Sequence, residues 1–319
     1  MQILDDSGRV VRTPAVAEQL YRLVLAAPAI TSAASQIVPD PQPWGSSGLH
    51  FSARLAGSDE LALLKVNVPA DQLWWARQLA RSAPELLPRV YASGDTLGGE
   101  RLGWVLWERV RNGLHPGWAG REFDMLLEAG VRFQIAARPL AGTAAAAGVL
   151  NELRAESIAA LMEQGVRRGA PGPASQVLER FAEHWDWVAG ACESEICHGD
   201  LHMANALCRD DPPGGEALLI DHHPIRMPWA CEPAKPEILN ADPARPGCRD
   251  LVARQAAIRL QHGLSAPAGA DLARLQAIVL GWWALQMWAY IGSSPDPQWR
   301  EPRTWYAENE AYIAAAAVA

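Results

Sequence analysis

The run Cys197-His198-Gly199-Asp200-Leu201-His202-Met203-Ala204-Asn205 packs a carboxylate, an amide and two imidazoles into one short stretch. Beyond it, Ala217-Leu218-Leu219-Ile220-Asp221 reads as an apolar strand that ends on a second carboxylate. Phosphoryl transfer asks little covalent chemistry of a protein. It needs a group that orients the attacking hydroxyl and accepts its proton, and hard oxygen ligands that fix magnesium on the phosphates. Asp200 suits the first task, and Asn205 and Asp221 suit the second. Two other readings of these residues stay open. The stretch could be a polar turn with capping Asp and Asn. A zinc ion could take ligands from Cys192, Cys197, His198, His202, His222 and His223. No four of these follow a familiar spacing, and the adjacent Cys197 and His198 would point to opposite sides of an extended chain.

Elements must position these residues, and their pattern changes along the chain. Residues 2–12 predict a hairpin around Asp6-Ser7-Gly8. Thr13 and Pro14 mark the cap and first position of a helix. After proline-rich 39–43, His50–Leu55 and Leu61–Val66 predict strands on either side of Gly57-Ser58-Asp59, and Val68–Ser82 predicts a helix. Val90–Ser93 and Trp104–Val110 predict two more strands. From about residue 111 the period becomes helical: Phe123, Leu127, Val131 and Ile135 share a face, as do Val177, Leu178, Phe181, Trp185 and Val188. Residues 249–264, 270–291 and 303–318 read as helices, and the six prolines of Pro224–Gly247 argue against regular structure there. The chain thus divides into a strand-rich part, 1–110, and a helical part, 111–319.

Composition narrows the function classes. The chain has 319 residues, 49% of them apolar and 20% charged, with a net charge of −8. That balance is of an ordinary globular protein and argues against a nucleic-acid partner, which calls for a basic excess. It suits a cationic acceptor. The first residues, MQILDDSGRVVRT, do not read as a signal peptide, and no stretch approaches the roughly 18 apolar residues of a membrane span. Five cysteines without a C-x-x-C pair fit reduced thiols in a cytoplasmic protein.

The order H-G-D-x-H-x-x-N followed by an apolar I-D strand resembles the aminoglycoside phosphotransferase family, relatives of protein kinases and choline kinases. The resemblance implies an α+β, protein-kinase-like bilobal fold with a small antiparallel-sheet N-lobe and a mostly helical C-lobe. It implies Asp200 as catalytic base, Asn205 and Asp221 as magnesium ligands, and His198 and His202 as residues that brace the loop. It also gives meaning to Lys65, the one charge in the apolar strand Leu61–Val66, as a phosphate ligand. The small-residue turn Gly45, Ser46, Ser47 and Gly48 would approach the phosphates of ATP or GTP. Trp107, Glu108, Arg109 and Val110 would hold the nucleotide base through their backbone, so that the nucleotide lies between the lobes. Asp250 would cap a helix or bridge to the catalytic loop.

The sequence departs from the family in having no Glu in the middle of the helix after Lys65, which leaves Asp71 or Glu85 as its partner, or none. His222 and His223 follow Asp221 where aromatic or Gly residues are more usual, and packing is the simpler role for them. For the acceptor, the resemblance implies a hydroxyl on an aminoglycoside-like or peptide antibiotic, or on a metabolite such as choline, homoserine or a sugar. A nucleotide-binding pseudokinase that regulates a partner is the alternative. Trp229, Trp282, Trp283, Trp288, Trp299 and Trp305 cluster toward the C-terminus, mostly as core, with one or two left to stack on a ring or face a cation. Glu232, Glu237 and Asp242 are acidic candidates for binding an amine.

Overall fold

The computed structural model describes residues 3–5, 10–44, 48–114, 120–170, 172–211, 214–240, 246–291 and 303–319. The expected turn at Asp6–Gly8 lies outside them, as do Gly45, Ser46, Ser47, Asp242 and Trp299. The chain forms two compact units: residues 1–111 with 218–222, and residues 112–217 with 223–319.

The first unit is an antiparallel sheet with helices. Helix α1 (Pro14–Ala26) opens as expected, with the Thr13 hydroxyl accepting the Val16 N–H at 3.3 Å, and α2 (Pro28–Thr31) adds one turn. Strands β1 (Ala34–Trp44), β2 (Leu49–Leu55) and β3 (Leu61–Val66) precede helix α3 (Ala70–Ser82), and β4 (Val90–Gly94) and β5 (Trp104–Glu108) complete a sheet of order β1-β2-β3-β5-β4. The proline-rich run is part of β1. It is tolerated because β1 is an edge strand whose pairing with β2 is irregular between Pro39 and Trp44. A core of Leu20, Val24, Phe51, Leu64 and Leu106 lies under the sheet.

The second unit is mostly helix. It contains β6 (Asn112–Gly113), α4 (Arg121–Ala137), α5 (Ala141–Ala146), β7 (Asn151–Glu152), α6 (Ala155–Arg167), α7 (Pro173–Glu179) and α8 (Phe181–Ala191). Next come β8 (Ser194–Cys197), β9 (Ala206–Cys208), and β10 (Ala217–Leu219), which runs into the 218–222 segment of the first unit. Strand β11 (Ile225–Pro228) and helices α9 (Cys231–Leu239), α10 (Leu251–Gln261), α11 (Gly269–Ile291) and α12 (Arg303–Val318) complete it. The face read as one helix over Val177–Val188 is two, α7 and α8, separated at Arg180. No helix among the described residues is long and apolar enough to cross a membrane.

The expectation of irregular structure over 224–247 fails for 225–239, which form β11 and α9. Pro228 ends its strand, and Pro233 falls among the first positions of α9, where the missing N–H has no intrahelical partner to lose. Pro236 does lie inside α9, but the helix is only nine residues long and is held by burial of almost every side chain.

That burial includes two carboxylates. Glu237 accepts from the Leu251 N–H at 2.7 Å and the Asp250 N–H at 3.2 Å, so it caps α10 from a neighbouring helix. Glu232 accepts from the Gly199 N–H at 3.0 Å. Both are scaffold, not amine ligands at the surface. Burial pushes each of these carboxyls up to about 7, against the pull of the N–H groups they accept from. A carboxyl with a raised folded-state pKa favours the folded state at low pH and loses that contribution as pH climbs from about 4.5 to about 7. His50 and His184, lowered by burial, act in the opposite sense, so the clean readout is a difference. Glu237→Gln should be less stable than wild type at pH 4. The deficit should shrink by the order of 2–3 kcal/mol by pH 7.5 in denaturant titrations, and a constant deficit would contradict the assignment.

Candidate functional site

Strand β8 delivers the chain into the loop at His198. Gly199 takes a left-handed conformation (φ +83°), and a Cβ there would lie 1.8 Å from the His223 carbonyl oxygen, so no side chain fits. His198 is fully buried, edge-on to Phe133. Its Nδ1 accepts the Asp200 N–H at 3.3 Å and its carbonyl accepts the His223 N–H at 3.0 Å. Asn205 turns back on Asp200: its Nδ2 donates to the Asp200 carbonyl at 3.0 Å and to Oδ2 at 2.9 Å. His202 accepts the Ala204 N–H through Nδ1 and brings Nε2 to 3.5 Å from Asp200 Oδ2. The other oxygen, Oδ1, is ion-paired with Lys235 of α9. Burial alone would raise the Asp200 carboxyl, but the His202 hydrogen bond and the Lys235 ammonium hold it well below the usual carboxylate range.

A chain of buried polar groups fixes this loop from behind. Glu232 receives Gly199 N–H and, at 3.4 Å, the Gln134 amide. The Gln134 carbonyl accepts from Arg259 at 2.6 Å, and Arg259, itself fully buried, donates to Glu195 of β8 at 3.1 Å. Arg138 also pairs with Glu195, and the Trp229 ring lies 4.9 Å from the Arg259 guanidinium. Each member has a partner, the condition under which a buried polar network rigidifies what it touches.

In the first unit, Lys65 is buried near the end of β3 and ion-paired with Asp221. Asp221, rather than Asp71 or Glu85, is thus the carboxylate that holds it. Asp221 is itself in the left-handed region (φ 55°), a conformation uncommon for a residue with a side chain and frequent at functional positions. His50 sits across from Lys65 in the β2–β3 register, and burial, with the lysine charge beside it, lowers its pKa. Of the expected phosphate turn only Gly48 is described. A Cβ there would fall 1.9 Å from the Val66 carbonyl oxygen, so the glycine permits a close approach of β2 to the end of β3.

The residues expected to hold the nucleotide base make bonds within their own unit. The N–H groups of Glu108, Arg109 and Val110 donate to Arg89, Leu61 and Glu108 carbonyls at 2.7, 3.1 and 3.2 Å. The Arg109 side chain bonds Asp40 at 2.7 Å and Ser52, which ties β1 and β2 to the end of β5, while Trp107 is buried. Asp250 neither caps α10 with its side chain nor bridges to the Asp200 loop. Its carboxylate accepts from Gln276 at 3.0 Å, and Glu237 performs the capping. His222 is buried and His223 exposed.

Asp200 opens on a cavity of about 720 Å³ in the second unit, walled by Leu161, Met203, Leu239, Trp283 and Met287 and bordered by His202, Lys235, Asn240 and Gln286. Lys235 was not among the residues the motif picked out. The signal for it was in the composition: the chain has two lysines among its 28 basic residues, Lys65 and Lys235, and both are ion-paired with site carboxylates. Both positions carry a compact ammonium in a chain whose other basic residues are arginines. For a metal, Asn205 commits its Nδ2 to Asp200, leaving the amide oxygen as its ligand atom, and Asp221 brings carboxylate oxygens. Each is a hard oxygen donor of the kind magnesium takes, Asn205 in the second unit and Asp221 in the first. No group of three or more His, Cys, Asp or Glu among the described residues is arranged to hold a metal ion, so the zinc set considered from sequence is not assembled there.

No family model matches the chain, and no curated protein sequence matches it. Solved structures do. An aminoglycoside phosphotransferase from Alicyclobacillus acidocaldarius superposes with a TM-score of 0.58 at 12% identity, over 89% of this chain and 92% of its own. A choline kinase from Cryptosporidium parvum gives 0.57 at 10% identity, over 93% and 94%. A spectinomycin phosphotransferase bound to ADP and spectinomycin gives 0.53 at 8% identity, over 93% and 97%. At such identities the likeness is one of fold: an antiparallel sheet followed by a mostly helical remainder, built as in the aminoglycoside phosphotransferases and choline kinases.

Proposed function

We propose that the chain is a small-molecule kinase that transfers the γ-phosphoryl group of ATP or GTP to a hydroxyl group. The observation that carries this reading is the Asp200 carboxylate, fixed by Asn205, His202 and Lys235 at the edge of a largely apolar cavity of about 720 Å³, large enough for a small acceptor. Asp200 orients the acceptor hydroxyl and takes its proton as the new oxygen–phosphorus bond forms and the bond to the nucleoside diphosphate breaks. Lys65 and Asp221 serve the nucleotide phosphates, and His50, beside Lys65, is a further group for them. Magnesium held through Asn205 and Asp221 would neutralise phosphate charge. The transfer is direct and in line, with no phosphoenzyme.

Two measurements test the assignment. Nucleoside-diphosphate release with ATP or GTP, scanned over aminoglycosides, peptide antibiotics, choline, homoserine and sugars, identifies an acceptor. Asp200→Ala should lower that turnover by roughly 10²–10⁴-fold, and full retention would overturn the role of Asp200. With the same acceptor, Asn205→Ala should raise the magnesium concentration at half-maximal rate by about tenfold or more. An unshifted magnesium titration would remove Asn205 from the metal site.

A further inference from the structure

We infer that the cavity at Asp200 selects an acceptor with a mainly apolar body and a single anionic group, and that Lys235 is the residue that selects it. This rests on reading the chain as a small-molecule kinase and names the acceptor class of that same site.

The charges at the cavity wall carry the argument. Asp200 is the one carboxylate among the described residues that line it, and Lys235 is the one lysine or arginine. The two are ion-paired, so among the described residues the wall holds no carboxylate without a counter-charge. The other carboxylates of the adjoining helix, Glu232 and Glu237, are turned into the core and already receive N–H groups of Gly199 and of Asp250 and Leu251. A polycation brought to the described wall would be desolvated against apolar side chains, where the one carboxylate already has a lysine.

Lys235 is placed for recognition. In α9, residues Cys231–Ala234 and Pro236–Ile238 are buried, and only Lys235 and Leu239, one turn apart, remain partly exposed, where they line the cavity. The ammonium stands 5.7 Å from the Trp283 ring, and that ring is fixed by its Nε1–H donating to the Cys231 carbonyl at 2.7 Å. A partly buried ammonium held by a carboxylate on one side and an aromatic face on the other can exchange part of that coordination for an anionic group on a ligand. Asn240 and Gln286 turn their amide N–H groups to backbone carbonyls of Pro236 and Trp282 and bring no charge. The same arrangement admits one competing account, in which Lys235 occupies a place meant for a ligand cation. That account predicts the opposite response to removing the lysine.

Binding without nucleotide or metal reads the cavity alone. The probes are 8-anilinonaphthalene-1-sulfonate, an apolar-bodied monoanion, and N-phenyl-1-naphthylamine, which lacks the sulfonate. Wild type should bind the sulfonate more tightly than the neutral probe. Lys235→Gln, confirmed as folded by its melting temperature, should weaken the sulfonate by about tenfold and leave the neutral probe unchanged, and Lys235→Arg should restore most of the loss. Trp283→Leu should weaken both probes. Kanamycin and choline should not displace the sulfonate. Equal sulfonate affinity in wild type and Lys235→Gln would overturn the inference, as would displacement by kanamycin, or choline binding that appears on removing the lysine. Phosphorylation of kanamycin abolished by Asp200→Ala would overturn it too while leaving the kinase reading intact. A kinase reading that fails at Asp200→Ala would fail in turnover, without touching these affinities.

Discussion

A carboxylate taken partly out of water needs a cation or hydrogen-bond donors beside it, and two carboxylates, one in each unit, receive a lysine. Asp221 has Lys65 and Asp200 has Lys235. Much of the surrounding structure follows from placing these two ammonium groups. Lys65 is the only charged side chain of β3, between β2 and β5, where an unpaired charge would be costly to bury. Lys235 requires a short helix in which the remaining polar side chains face inward, and that in turn requires Glu232 and Glu237 to find partners in the core. Removing either lysine therefore does more than delete a contact, because it leaves a partly buried carboxylate without its counter-charge.

The second constraint is the backbone of the Asp200 loop. Gly199 must be left-handed and must lie against the His223 carbonyl, and its N–H must be received by a buried acceptor. Glu232 is that acceptor, and the run from it through Gln134 and Arg259 to Glu195 returns to the strand that feeds the loop. The loop is thus clamped on the side away from the cavity by groups drawn from α4, α9, α10 and β8. The nine-residue helix with an internal proline, held by burial, thus supplies both the clamp, Glu232, and the cation, Lys235.

How much of this was legible in the sequence depends on the distance over which each interaction acts. Asp200 and Asn205 are five residues apart, and the motif singled out both, although it offered the amide as a magnesium ligand and not as the group that turns back on the carboxylate. The long helices were visible through their periodicity, and Lys65 through its isolation in an apolar strand. The partner of Lys65 was not, because Asp221 lies 156 positions away and nothing local distinguishes it from Asp71 or Glu85. The helix α9 was hidden by its prolines, since local propensity weighs against them while the burial that overrides propensity is tertiary. Glu232 and Glu237 read as surface acids because acidic residues usually are, and only the fold reveals the N–H groups they receive. Lys235 was concealed by the same proline-rich setting, although the scarcity of lysine in the chain was in plain view.

The depressed carboxyl of Asp200 also constrains the chemistry. With donors on both oxygens, it is a weak base, and a reaction that demanded full removal of a hydroxyl proton before bond formation would find it a poor catalyst. Phosphoryl transfer through a loose transition state makes no such demand, since most of the bond to the leaving group has broken before the attacking oxygen becomes strongly acidic. For that reaction a carboxylate held in one orientation is more useful than a basic one, because alignment of the hydroxyl is the larger part of what a protein can contribute. The same donors that weaken Asp200 as a base are the ones that hold it still. On the proposed kinase reading, the electrostatics of the loop favour late proton transfer to a well-placed carboxylate over chemistry that begins with deprotonation.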